Sequence, residues 1–264
     1  MSNITVNKDD GVWLLTINRP SKMNSLDFAT HYEMVEIWTE FNKDPSAKAG
    51  VITGAGEDAF CAGADLKTYT MNFATRQPHE FRDEFVDGFG LGGITRGLEI
   101  DKPLIAAING YAVSGGLEIA LACDMRFCSE NAKFGLQDVK WGFHACDGAL
   151  VRLPYIVGMG ATMELVLSGD LITAEQAYRI QLVNKVIPQN KLLAETMDYA
   201  KNLATRSPLA IRYAKQTIRR TLKMSLDEAL KQEVRSFYDL GKSEDLVEGT
   251  NAFNEKRDAK FQGK

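Results

Sequence analysis

The sequence predicts an α/β fold with a helical extension. From Val12 to Ile187, short runs of strand formers alternate with segments of helical spacing; from Leu192 onward the strand signal stops and only helices follow. The 264 residues, 45% apolar and 25% charged, suit one large globular domain or one domain with an appendage.

Val12-Trp-Leu-Leu-Thr-Ile-Asn18 reads as a strand that Arg19-Pro20 breaks. Ser25 or Asp27 can cap a helix running to about Phe41, with Phe28, Tyr32, Val35, Ile37 and Trp38 near helical spacing. The stretch 50–54 is a short buried strand closed by a Gly-Ala-Gly-Glu-Asp turn, and Phe60-Cys-Ala-Gly-Ala-Asp-Leu66 is a small-residue tract before a helical segment. Between Thr68 and Gly97 the expectation is helix interrupted by a mobile loop, because Gly88, Gly90, Gly92 and Gly93 lie close together. Strands follow at Pro103–Asn109, Met125–Cys128 and Ala132–Gly135, then an irregular stretch to Cys146 and helices from Asp147 and from Met159 to Ser168. Thr173-Ala-Glu-Gln176 fits a capping box, 183–187 is a last strand, and the tail divides at Ser207-Pro208, near Lys223–Ser225 and near Gly241.

A formal charge of -4 gives no support to a nucleic-acid partner. Cysteines 61, 123, 128 and 146 show no CxxC spacing, and three scattered histidines complete no zinc signature, so no metal is expected and reduced thiols in a cytoplasmic protein are. The polar, acid-bearing N-terminus is neither a signal nor a transit peptide. Leu104–Cys123 is twenty residues without a basic side chain, yet Asn109, Ser114, Glu118 and three glycines make it strand, turn and buried helix rather than a membrane span.

Gly110-Tyr-Ala-Val-Ser-Gly-Gly-Leu-Glu-Ile-Ala-Leu-Ala-Cys123 carries the strongest chemical signal. Leu117–Cys123 is apolar on every side except at Glu118, and a buried carboxylate needs a partner or a task. Gly115 and Gly116 leave N–H groups bare where a helix begins, which suits an oxygen developing negative charge. Glu118, three residues after Gly115, shares its helical face. Close packing at the glycines and a capping role for Glu118 would account for the same residues.

Asn18-Arg-Pro, Phe60-Cys-Ala-Gly-Ala-Asp, Asn109-Gly-Tyr-Ala-Val-Ser-Gly-Gly-Leu-Glu, Phe134-Gly, Arg152-Leu-Pro and Phe253-Asn-Glu-Lys-Arg257 occur in an order and spacing that resemble the crotonase (enoyl-CoA hydratase/isomerase) superfamily through nearly the whole chain. The resemblance implies a spiral of ββα units over residues 1–200 and a C-terminal helical region, 201–264, that packs homotrimers, often paired into hexamers. It implies acyl-CoA thioester substrates, with coenzyme A part of the substrate and no separate cofactor. The enolate oxygen would be held by two backbone N–H groups, by motif position those of Ala64 and Gly115, each typically worth roughly 3 kcal/mol.

Family hydratases pair two glutamates around one water; Glu118 takes the first position and Asp138 the second, one methylene shorter. Asp138 could act through a water or a shifted backbone, or simply bond its own loop. Asp147 is by default the N-cap of the next helix, but isomerases and carbon–carbon bond hydrolases that resemble Phe143-His-Ala-Cys-Asp-Gly-Ala-Leu150 place a working aspartate near it. His144, Cys146, Trp141 and Phe143 could shape the acyl pocket, the aromatics favouring a ring or branched chain. A Cys146 nucleophile would need a depressed pKa. For the CoA moiety the resemblance points to Lys22, Met23, Ala62, Asp65 and Leu66, with Phe253 and Lys256 added by a neighbouring subunit; Lys22 reads equally as a solvated charge. The leading expectation is reversible hydration of a 2,3-enoyl-CoA. Its rivals are an isomerase or ring-opening hydrolase using Asp147 with Asp138, and a non-catalytic acyl-CoA binder.

Overall fold

The computed structural model describes residues 2–264, the side chains of residues 70, 71 and 74 excepted. Strands β1 (Ile4–Asp9) and β2 (Val12–Ile17) form an antiparallel hairpin around Asp10-Gly11, both with positive φ. Helix α1 (Phe28–Lys43) starts at Asp27, whose carboxylate accepts from the Thr30 amide, and buries Met34, Val35, Trp38 and Phe41. Next come β3 (Ala49–Gly54), β4 (Ala59–Cys61), a π-helical turn at Leu66–Thr70, α2 (Met71–Thr75), α3 (Pro78–Phe81) and a second π-helical turn at Arg82–Val86. Strands β5 (Leu104–Ile108) and β6 (Tyr111–Val113) lead into α4 (Gly115–Ala122), and β7 (Met125–Ser129) and β8 (Lys133–Gly135) into α5 (Ala149–Ile156) and α6 (Gly158–Ser168). Then follow β9 (Ile172–Thr173), α7 (Ala174–Arg179) with Thr173 and Gln176 as a capping box, β10 (Lys185–Ile187) and α8 (Leu192–Ala204). The tail is α9 (Pro208–Thr221), α10 (Leu226–Leu240) and α11 (Glu244–Glu255).

The long strands form one sheet in the order β1-β2-β3-β5-β7-β10, parallel beyond the first hairpin, and the short ones a second, β4-β6-β8-β9. Each long strand of the middle hands the chain to a short strand of the second sheet (β3 to β4, β5 to β6, β7 to β8) and then to helix, which is the expected ββα spiral. Alternate side chains serve two cores. Ile52, Ala106 and Ile108 face inward with Phe60, Phe134 and α4; Val51, Ile105 and Phe127 face Leu192 and Ala200 of α8. Burial on both faces is why these strands read as unbroken apolar runs. Helix α9 is tied to the core by Lys215, which donates to the Lys102 carbonyl and, at 2.6 Å, to Asp124.

Two expectations are corrected. Asp147 is not the cap of α5: Gly148, at φ 112°, occupies that position, and no side chain caps it. The glycine-rich segment before β5 is a turn tied down by side chains, not a free loop, as the site shows. Among the described residues no helix is long and apolar enough to cross a membrane.

Candidate active site

The two small-residue tracts meet. Ser114 sits at φ 52°, ψ -122°, a costly backbone for a side chain, and this corner turns the start of α4 toward the turn after β4. A Cβ on Gly115 would stand 3.4 Å from the Ala64 nitrogen, and one on Gly63 2.8 Å from the Gly115 nitrogen. Leu26 bridges this turn by donating to the Gly63 carbonyl and accepting from the Asp65 amide, which leaves the Ala64 N–H on the opposite side. Among the described residues neither the Ala64 nor the Gly115 amide donates to any acceptor. Buried amides are nearly always paired, so two bare ones side by side mark an oxygen-binding position. Asn24 and Asn109 brace the strand behind them: both side-chain amides donate to the Ala59 carbonyl, while the Asn109 oxygen accepts from the Gly54 amide.

Ala64 and Gly115 open into a cavity of about 730 Å³ that Glu118, Asp138 and Asp147 also line. Glu118, 2% exposed, accepts through Oε1 from the amides of Asp147 (2.7 Å) and Ala149 (3.0 Å). Burial pushes its carboxyl up to about 8; the Asp147 and Asp138 charges add to the rise, and the two amides only partly offset it. With Oε1 accepting twice, the proton belongs on Oε2. Asp138 is raised too, chiefly by burial, and the Ser114 hydroxyl pulls the other way. Its Oδ2 is buried without a partner among the described residues, an acceptor waiting for a donor. Asp147 differs: its Oδ1 accepts from the Leu91 amide (2.9 Å), the Thr95 hydroxyl (2.9 Å) and Arg96 (2.7 Å).

Of the other residues named from sequence, Met23, Ala62, Leu66, Trp141, Phe143, His144 and Cys146 line the same cavity. Lys22, Asp65, Phe253 and Lys256 do not. Asp65 instead holds its own turn, accepting from the Lys67 amide and lying 3.7 Å from Arg19, and Phe253 stands 84% exposed on α11. Burial first, then the Asp147 and Glu118 charges, push the Cys146 thiol up to about 12, the wrong direction for a nucleophile. Sequence reasoning missed Tyr69, Phe73, Phe81 and Leu91, which wall one side of the cavity. Tyr69 stacks on Phe28 at 4.4 Å, and Phe73 and Phe81 pack on Phe85, so this wall is a preformed aromatic layer.

Residues 7–264 match the family described as enoyl-CoA hydratase/isomerase. A carnitinyl-CoA dehydratase of Escherichia coli is 36% identical over 99% of both chains, and a crotonyl-CoA hydratase of Syntrophomonas wolfei 37% identical over 99% of this chain and 98% of its own. Among solved structures, an enoyl-CoA hydratase from Mycobacterium tuberculosis superimposes with a TM-score of 0.90 at 32% identity over 99% of both chains. One from Bacillus anthracis gives 0.89 at 32% over the full length of both. With the ββα spiral, the paired donor turns and a match from end to end, this chain belongs to the enoyl-CoA hydratase/isomerase family.

Proposed function

We propose that the protein is a lyase that reversibly adds water across the 2,3-double bond of an enoyl-CoA thioester. The observation that carries this reading is the convergence of two unpaired amides, Ala64 and Gly115, beside two buried carboxyls with raised pKa values in one cavity. The thioester oxygen sits between the amides, which hold the charge that forms as C3 is attacked; the reaction needs no cofactor beyond the coenzyme A carried by the substrate. Glu118 and Asp138 share one proton. The ionised carboxyl, Asp138, takes a proton from water as the oxygen bonds C3; Glu118 gives its Oε2 proton to C2, and the reverse sequence is dehydration. The unpartnered Asp138 Oδ2 is the acceptor this water needs. The relatives' names describe a hydration and a dehydration, the two directions of one reaction.

The proposal extends to a homotrimer, alone or paired into a hexamer, in which Phe253 and Lys256 complete the nucleotide end of a neighbour's site and Met23, Ala62 and Leu66 hold the near side. Support comes from the exposure of Phe253 and from Leu226, Leu230, Val234 and Phe237, an exposed stripe on α10. The four free cysteines support a reducing compartment, the cytoplasm.

The test is purified protein with crotonyl-CoA, followed by loss of the conjugated thioester absorbance and by product mass. Hydration is expected, with a fall of about 10³-fold or more in Glu118→Gln. Hydration retained in that variant would remove the assignment, and conversion only of a dienoyl-CoA or cyclic acyl-CoA would move the protein to an isomerase or hydrolase reaction.

A further inference from the structure

We propose that Asp147 is a positioning residue: with Arg96 it latches the glycine-rich turn of residues 90–96 against Glu118, and it takes no part in proton transfer. The proposal rests on the hydratase reading above for its kinetic arm only.

Three donors from that one turn, the Leu91 amide, the Thr95 hydroxyl and the Arg96 guanidinium, converge on a single oxygen of Asp147. Three donors on Oδ1 fix the carboxylate's orientation, with Oδ2 accepting only from the Cys146 thiol at 3.8 Å. The same residue grips Glu118 from the other side, because its main-chain N–H is one of the two donors to Oε1. Arg152 closes the loop by donating to the carbonyls of both Asp147 and Thr95. Two more ties fix the turn: the Gly92 amide donates to Nδ1 of buried His31 at 3.1 Å, and Arg96 donates to the Phe85 carbonyl. The turn has something to position. A Cβ on Gly115 would collide with the Leu91 side chain, so Leu91 is the cover over the Gly115 donor. The latch therefore fixes, in one unit, the acid and the apolar lid over its neighbouring amide. No room exists for drift at its centre, since a Cβ on Gly90 would stand 2.8 Å from Asp147 Oδ1.

The charges facing Glu118 are Asp147 and Cys146 from the segment before α5, Arg152 from α5, and Asp138 from the turn after β8. Those facing Asp147 are Arg96, His31, Tyr69, Arg152, Cys146 and Glu118 itself. Neutralising Asp147 removes a like charge from Glu118, whereas removing Arg96 leaves that charge uncompensated. The two changes push Glu118 in opposite directions.

The experiment follows Glu118 directly, by ¹³C carboxyl NMR of protein labelled at glutamate and free of substrate, with Glu118→Gln identifying the resonance. Relative to the parent, Asp147→Asn should lower the titration midpoint and Arg96→Met raise it, each by about 0.5 in pH or more. The alkaline limb of crotonyl-CoA hydration should move the same way, and kcat of Asp147→Asn at its own optimum should fall by less than about tenfold. Midpoints that stay put in both variants overturn the latch. So does a loss of about 100-fold or more in kcat for Asp147→Asn with KM unchanged, which would make Asp147 a proton-transfer group. If no variant hydrates crotonyl-CoA while the midpoints move as stated, the latch stands and the hydratase reading falls.

Discussion

The donor turns at 61–66 and 113–118 and the tail helices α9 to α11 both expose backbone or side-chain groups that ask for a partner, but they answer differently. At the donor turns every neighbour comes from within the chain. Gly116 lies so close to the Cys61 carbonyl that a Cβ there would collide with it, and Gly110 packs in the same way on Asp58. Among the described residues the Ala64 and Gly115 amides have no acceptor, and both residues border the cavity. The tail is the reverse. Helix α9 buries none of its residues and α10 only Ser236, while Ile218, Leu222, Leu226, Leu230, Val234 and Phe237 stand in solvent. One region is packed from within the chain around two unpaired amides; the other leaves an apolar face exposed, the face that the proposed assembly would cover.

The sharpest way to break the first half of this comparison is Gly116→Ala. The colliding atom is backbone, which cannot swing aside, so β4 and α4 must separate. The expected cost is about 3 kcal/mol. For a chain of this size that is a drop in Tm on the order of 10 °C, read by calorimetry. A Tm within about 2 °C of the parent would mean that the two tracts do not pack as described.

Gly115→Ala asks a gentler question. Its Cβ meets a flexible Leu91 side chain and stands 3.4 Å from the Ala64 nitrogen, so the fold survives while the oxygen position fills. We expect kcat on crotonyl-CoA to fall by about 100-fold, because the added methyl keeps the oxygen away from a donor that is still present, and Tm to change little. Pairing it with Leu91→Ala separates the two effects: relief of the collision should restore packing without restoring rate.

How much of this was legible beforehand differs by residue. Ala64 came only from the family resemblance, whereas Glu118 and Gly115 could be singled out from local chemistry, glycines before a helix and one acid in an apolar run. The caps at Asp27 and Thr173 were legible for the same reason. Strand β1 went unread although Asp10-Gly11 is a hairpin signal, since its outward face is polar and only Ile4 is buried. The aromatic wall was hidden because Tyr69 and Phe73 stand on one short helical segment and Phe81 and Phe85 on another beyond Gln77-Pro78, and only folding brings the two pairs into contact. Asp147 misled for a tertiary reason. An aspartate just before a helix looks like a cap, but Gly148 takes that place and frees the carboxylate to cross 51 residues of sequence to Arg96.

The second half of the comparison is tested by Val234→Glu with Phe237→Glu. Both side chains are more than 60% exposed in the single chain, so its own fold should be nearly unaffected by charges there. Sedimentation should then show a fall from an assembly of several chains toward single chains, at unchanged helix content. A parent already sedimenting as one chain would leave the stripe without the partner proposed for it.

A pH-dependent test concerns the cost of keeping Glu118 inside. Burial lifts its carboxyl from an ordinary 4.5 to about 8, so across that window the folded chain binds a proton that the unfolded chain has released. Stability carried by the protonated group is therefore complete at acid pH and is lost as pH rises from 4.5 through 8. Glutamine at 118 cannot ionise, keeps an oxygen for the Asp147 and Ala149 amides, and turns its NH₂ toward the cavity. Glu118→Gln should accordingly match the parent near pH 4, where the parent carboxyl is neutral. Its Tm should exceed the parent's by an amount on the order of 10 °C near pH 9, the gap opening between those limits. A gap that is the same at every pH would mean that Glu118 titrates alike in the folded and the unfolded chain, and that the site stores none of its proton in advance.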